Sequence, residues 1–464
     1  MFHRYAPEQP ISFGDARLDL RFNNLLKRMT ACKSTVLRQL ANGWPEEIAY
    51  GRLLRNKKMQ LATLLDRCCS ESIQSSVDRH VLVLQDTTQL VYRPDRDGRV
   101  GLGRVGSGHA SGFSVHASVA VDASDGGCLG LSDLQCWNHT GDRPRGSAKN
   151  KTPTHDKEIY RWVVSAQNSA KRLSKASGIT MVGDREADFY QLLMDVPKTG
   201  IELLVRSSQD RLLAEHDCKL FEWTDQLEVQ DEYYVKLPKT DKRSPHKALL
   251  QVRFGKIALK RPKTFWDKIA PQSINITVVD VRESTSTVEP KQQPVHWRLI
   301  TTHEVQQPEK ARQIIEWYCQ RWWIEQLFRS LKTQGLNIEA SQLHDFDRLA
   351  KLAAMATTAA VKAIQLTKAR DGVTKQALQD HYSQPERKLL DQLNGKLQGN
   401  TVKQQNPHHN DTLAYAAWII ARLGGWKGYA SQRPPGPVTM LNGIKRYQSI
   451  KEGWELMQED MYMP

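Results

Sequence analysis

Two short, unbroken apolar runs, each stopped by an aspartate, constrain this chain most. VLVLQ (81–85) runs into Asp86, and ITMVG (179–183) runs into Asp184. A continuous apolar run of this length reads as a buried strand. An acid at its end is costly unless it is ligated, hydrogen-bonded or set at the mouth of the sheet. Each acid also has an ordinary reading. Asp86 can cap a turn with Thr87, and Asp184 can N-cap a helix opening with EADFYQLLMD. Between them, SVHASVAVDA and LGLSDLQCWN read as strands and residues 158–175 as a helix, with ELLVRSS (202–208) as the next strand. The pattern predicts an α/β region.

A second feature lies downstream, in residues 307–334. Pro308 suits a first helical turn and Gly335 a stop just past the end, which predicts one long helix. With about 100° per residue and Tyr318 at zero, Arg321 falls at about −60°, Glu325 at about −20° and Lys332 at about −40°. One stripe then shows a phenol, a guanidinium, a carboxylate and an ammonium. Ile314, Ile315, Trp317, Trp322, Trp323, Ile324, Leu327, Phe328 and Leu331 cover the other faces. Taken alone, Arg321 and Glu325 at i,i+4 equally suit a solvated helix.

The 464 residues are enough for two to four domains, and a hydrophobic content of 39% is that of a globular chain rather than a disordered one. Lys and Arg total 66 against 51 acids, a net charge of +15 that argues for a polyanionic partner, most simply nucleic acid. The cations crowd two tracts. Residues 143–175 hold Arg143, Arg145, Lys149, Lys151, Lys157, Arg161, Lys171, Arg172 and Lys175. Residues 236–268 hold Lys236, Lys239, Lys242, Arg243, Lys247, Arg253, Lys256, Lys260 and Arg261. Such tracts suit a protein that follows a duplex. Seven scattered cysteines without a CxxC indicate neither a disulfide framework nor a zinc ribbon, and point to a reducing interior. The first residues lack an apolar signal core, and no uninterrupted apolar run of membrane-spanning length is expected.

Two strand-end acids and one helical acid, Asp86, Asp184 and Glu325, match the order of a ribonuclease-H-like site. Three carboxylates suit two divalent ions about 4 Å apart with positions left open for substrate, and Mg²⁺ prefers such hard oxygens. The expected architecture is a ribonuclease-H-like α/β catalytic core (76–209 and 301–370) carrying a β-rich insertion (210–300). A helical N-terminal domain (1–75) precedes it, and a helical C-terminal domain (371–464) follows.

QDTT (85–88), DREAD (184–188) and the spacing Tyr318-x2-Arg321-x3-Glu325-x6-Lys332 resemble the bacterial insertion-sequence DDE transposases that move by cut-and-paste. FGDARLDLRFNNLLKRM (13–29), LVRS (204–207), HWRLITT (296–302), IARLGGWKGY (420–429) and EGWELM (452–457) match further blocks. YGRLLRN (50–56) departs by an extra residue after its tyrosine. The resemblance implies that Asp86, Asp184 and Glu325 bind two Mg²⁺ ions, with Mn²⁺ as a substitute. It implies DNA contacts from Tyr318, Arg321 and Lys332 near the scissile phosphate, a neighbouring contact from Arg206, and end binding by Arg17 and Arg21. Cleavage in this family passes through a DNA hairpin with a flipped base. Trp297 matches the stacking tryptophan, and Trp322 is placed to assist; an aromatic platform is what an unstacked base requires. The implied partners are double-stranded DNA, as element ends and target, and a second copy of the chain in a synaptic dimer. The implied location is cytoplasmic and nucleoid-associated, with no membrane.

Two other functions fit the same residues: a DNA-binding regulator that never cuts, and a structure-selective nuclease that never joins strands. Gly101-x-Gly103-x-x-Gly106 satisfies a dinucleotide fingerprint but precedes a strand-like run with no helix after it, so a loop or hairpin is expected. His109, His116, His408 and His409 lack partners at metal-ligand spacing.

Overall fold

The computed structural model describes residues 12–92, 99–106, 110–138, 153–239, 243–290, 292–429 and 431–460. Arg143, Arg145, Lys149, Lys151 and Lys242 of the basic tracts, and His109, lie outside the described residues. In chain order the helices are α1 (Ala16–Cys32), α2 (Leu37–Leu40), α3 (Trp44–Arg55), α4 (Leu61–Cys68), α5 (Ser70–Ser75), α6 (Arg161–Arg172), α7 (Tyr190–Asp195), α8 (Leu220–Gln226), α9 (Pro308–Cys319), α10 (Trp322–Leu331), α11 (Phe346–Ala369), α12 (Gln384–Leu397), α13 (Leu413–Leu423) and α14 (Pro437–Asp460). The strands are β1 (His80–Tyr92), β2 (Gly103–Arg104), β3 (Ser111–Asp122), β4 (Cys128–Trp137), β5 (Gly178–Gly183), β6 (Glu202–Arg206), β7 (Asp231–Leu237), β8 (His246–Lys260), β9 (Ser273–Glu283) and β10 (His296–Thr301). The chain forms two compact units.

One unit comprises His80–Asp86 and Asp142–Trp322. It holds a mixed sheet in the order β1-β5-β6-β10-β9-β8-β7. β1, β5 and β6 are parallel, while β10, β9, β8 and β7 add in antiparallel steps. The strands expected as a β-rich insertion therefore extend the same sheet through β10. Trp162 and Val163 of α6, Met181 of β5, Leu203 and Val205 of β6 and Val278 of β9 pack into one core. Six such buried side chains remove enough apolar surface to hold helix on sheet, at roughly 1.5–3 kcal/mol each. α9 is tied to β7 by a two-pronged ion pair, Arg312 to Asp231, at 2.5 and 2.6 Å.

The other unit comprises Met1–Arg79, Thr87–Gly141 and Trp323–Pro464. Asp15 caps α1 by accepting from the Arg17 N–H at 3.0 Å. Leu18, Phe22, Leu25 and Met29 recur at three- and four-residue steps and bury one face of that helix. Gly103 lies in β2, which pairs antiparallel with β3, so the Gly101, Gly103 and Gly106 spacing sits beside a strand pair and not at a dinucleotide loop opening a helix. β3 approaches β1 so closely that a Cβ on Gly112 would stand 2.0 Å from the Leu90 carbonyl oxygen. α11 is long and apolar enough to cross a membrane, yet 94% of its most apolar window is buried inside the protein, as in a core helix. Its one deeply buried cation, Lys351, donates to the Leu54 carbonyl at 3.1 Å and to Asp347 at 2.7 Å.

Two expectations need correction. Asp86 does not end its strand, because β1 continues to Tyr92. Residues 307–334 do not form one helix. α9 stops at Cys319, and α10 begins at Trp322. Tight bonds from the Gln320 N–H to the Trp317 carbonyl (3.1 Å) and from the Arg321 N–H to the Tyr318 carbonyl (3.0 Å) turn the chain between them.

Candidate active site

The parallel pairing of β1 with β5 matches Leu84 to Val182, an offset of 182 − 84 = 98. Asp86 and Asp184 are separated by 184 − 86 = 98. Each acid lies two residues past the last matched pair: Asp86 sits within β1, and Asp184 directly follows the end of β5, the neighbouring strand. Two carboxylates there repel each other unless cations or hydrogen bonds offset them.

Each acid has such a partner. Asp86 Oδ2 accepts from the Arg321 guanidinium at 3.2 Å, with both side chains about four-fifths buried. The turn between α9 and α10 thus delivers Arg321 to the sheet, which a straight helix need not have done. Asp184 Oδ1 accepts from the Glu186 N–H at 2.8 Å and caps a 3-10 turn over Arg185–Ala187. The capping role considered for Asp184 is real, though the turn it caps is shorter than the helix expected.

Around the acids stand groups from β6, β10 and α9. Tyr318 is 5% exposed. Burial pushes its phenol pKa up, while the nearby Arg321 and Arg206 guanidiniums pull it back. Arg206 donates to the His296 carbonyl at 3.0 Å. Burial lowers the pKa of its guanidinium, and a hydrogen bond with Tyr318 works against that shift. Trp297 is half-buried, its ring edge-on to Tyr318 at 5.3 Å and 67°. Trp322, the first residue of α10, is 49% exposed. Asp86, Asp184, Arg206, Trp297, Tyr318, Arg321 and Trp322 therefore all belong to the sheet-bearing unit.

Glu325 and Lys332 belong to the other unit. Glu325 lies in the first turn of α10. Lys332 follows its last residue, and its ammonium is 3.9 Å from Glu339. Gly335 makes that turn possible: a Cβ there would stand 1.7 Å from the Ser330 carbonyl oxygen. Arg17 and Arg21 are exposed on the solvent face of α1, with Arg17 Nε 3.6 Å from Asp15. Among the described residues, no group of three or more His, Cys, Asp and Glu side chains is gathered so as to hold a metal ion. The donor chemistry at Asp86 and Asp184 fits a hard divalent cation, since both offer carboxylate oxygens, one from β1 and one from the turn that follows β5.

Sequence reasoning missed Asp188. Its carboxylate is buried and accepts from the Ser208 N–H at 2.6 Å, the Gln209 N–H at 2.9 Å and the Ser207 hydroxyl at 3.4 Å. Arg211 Nη1 also bonds that carboxylate, and Arg211 Nη2 donates to the Asp188 carbonyl at 2.8 Å. This clamp ties the turn bearing Asp184 to the loop leaving β6 just after Arg206. The second aspartate of DREAD was the available signal. Arg161, one of the cations of the first basic tract, is buried and paired with Glu186 at 2.6 Å. Lys236, Lys239, Lys247, Lys256 and Lys260 of the second tract are exposed.

Comparison with known families matches part of this chain. Asp184, Arg206, Trp297, Tyr318, Arg321, Glu325 and Lys332 all fall within a stretch that such a comparison assigns, while Asp86, Arg17 and Arg21 precede it. Residues 170–362 match the family described as the transposase DDE domain, and the match supports a DDE-type transposase acting on DNA.

Proposed function

We propose that the protein is a metal-dependent cut-and-paste DNA transposase. Water first nicks the DNA at an element end. The freed 3′-hydroxyl then attacks the opposite strand to close a hairpin. A second water opens the hairpin, and the 3′-hydroxyl is joined to target DNA. The observation that carries this reading is the shared 98-residue offset of the β1–β5 register and the two aspartates.

Asp86, Asp184 and Glu325 would hold the divalent ions, with Mg²⁺ the expected metal. When bound, the ions lower the pKa of the attacking water or hydroxyl and offset charge on the leaving oxygen. Arg321 neutralises Asp86 in the state described here. On DNA its guanidinium exchanges that carboxylate for a phosphate, where Lys332 and Tyr318 assist. Arg206 holds a neighbouring phosphate, and Trp297, with Trp322, offers the face against which an unpaired base stacks. Arg17 and Arg21 contact the element end. Two ends must be cut together, so the working assembly is a dimer bound to two DNA ends, with residues 371–464 the candidate contact.

The test is cleavage of DNA carrying the element's own ends, with and without Mg²⁺. Asp86→Ala, Asp184→Ala and Glu325→Ala should each lower the cutting rate at least about a thousandfold while the DNA is still bound. Cutting at the parent rate by any of these folded variants sinks the reading. Cleavage without joined products favours a nuclease, and binding without cleavage under any divalent ion favours a regulator.

A further inference from the structure

β7 is the last strand of its sheet. It pairs with β8 on one side, and among the described residues no strand lies on the other. A free edge of this kind offers its N–H and C=O groups to another strand. The side chains of β7 alternate. Asp231, Tyr233, Val235 and Leu237 are half-buried, while Glu232, Tyr234 and Lys236 are exposed, Tyr234 at 57%.

Charge on the exposed face is unbalanced. Lys236 stands opposite Lys247 of β8, and like charges facing each other across strands are unfavourable. Lys247 lies over the Tyr234 ring, 4.3 Å from its centroid, and among the described residues neither lysine has an ion pair. At the other end of the strand, Glu232 stands opposite Gln251 and accepts from its amide at 2.7 Å. Among the described residues no cation pairs with that carboxylate.

The strand is self-complementary about Tyr234, because Glu232 and Lys236 lie two residues to either side of it. In an antiparallel pair of β7 strands with a two-fold axis at Tyr234, Glu232 of each copy faces Lys236 of the other. Tyr233 faces Val235, and the two Tyr234 rings meet. Such a contact is isologous and closes with two copies. Each lysine gains the carboxylate that β8 does not supply. Pro238, which has no N–H, stops the pairing just past Leu237.

We propose that the β7 edge is a self-association surface, to which a second copy of this chain adds its own β7 and joins the two sheets. Duplex DNA suits this edge less well, since Asp231 and Glu232 share it with Lys236. The contact uses no residue of 371–464 and requires no nucleic acid, so it stands or falls apart from the cleavage chemistry.

The experiment is sedimentation equilibrium of the full chain without DNA. The parent should dimerise with a Kd of the order of 10–100 μM, as suits a small interface. Glu232→Lys and Lys236→Glu each set like charges opposite at both symmetric positions, and each alone should weaken dimerisation at least about tenfold. An equal mixture of those two variants restores opposite charges at both positions and should dimerise like the parent, as should the chain carrying both changes. Both positions are exposed, so the thermal midpoints should match the parent's. A parent that stays monomeric well above that range, or that associates only with duplex DNA, overturns the proposal. So do folded single variants that dimerise as the parent does, and a mixture that stays monomeric.

Discussion

At the scale of residues, the site is organised by what burial demands of charge. Asp188 and Arg211 show the rule most sharply, with side-chain exposures of 0% and 8%. Removing one partner of a buried pair strands the other, so Arg211→Ala should cost about 3–5 kcal/mol in urea unfolding. In DNA cleavage the same change should slow cutting more than it weakens binding, because the clamp sets the turn that presents Asp184. His303 offers a pH signature. Its Nε2 lies 2.7 Å from the Thr180 hydroxyl, which is 2.8 Å from His80, and burial lowers its pKa to about 4. An unfolded imidazole takes its proton near pH ~6.5. Between those values the unfolded chain binds more protons, so stability is full above pH ~6.5 and falls as pH drops toward 4. The urea midpoint of His303→Gln should fall less across that window than the parent's. None of these contacts was legible from sequence, since DREAD announced Asp188 without its partner and nothing marked Thr180 as lying between two histidines.

At the scale of elements, the decisive feature is the interruption between α9 and α10. Periodicity across 307–334 carries no break, because Gln320 and Arg321 are both good helix formers. The turn arises from what lies on either side. Tyr318 is buried beside Arg206 and Trp297, while Arg321 reaches Asp86. The stop after α10 was legible, since Gly335 marked it, though the helix ends at Leu331. Past that end the Leu336 N–H returns to the Ser330 carbonyl at 2.8 Å, which leaves no room for a side chain at Gly335. Gly335→Ala should therefore destabilise by about 3 kcal/mol in urea unfolding. A change below about 0.5 kcal/mol would show that the turn relaxes freely.

At the scale of the whole molecule, net charge sets how the protein meets DNA. A chain of +15 with exposed lysines along β7 and β8 should bind duplex DNA with a steep salt dependence. Arg17→Ala and Arg21→Ala should each reduce the slope of log affinity against log salt by about 1 if each side chain contacts one phosphate. Unchanged slopes would remove α1 from the interface.

The sequence by itself marked several elements and the acidic residues they carry. Apolar runs announced β1 and β5, and two aspartates with a following glutamate raised the expectation of a carboxylate site. The apolar runs are local patterns, written in adjacent residues. The tertiary structure alone decided that β1 pairs with β5 at an offset of 98, that the β-rich segment joins the same sheet, and that Arg321 leaves its helix to meet Asp86. Those choices depend on side chains far apart in the chain packing together, and on buried charges finding partners, which no local pattern records.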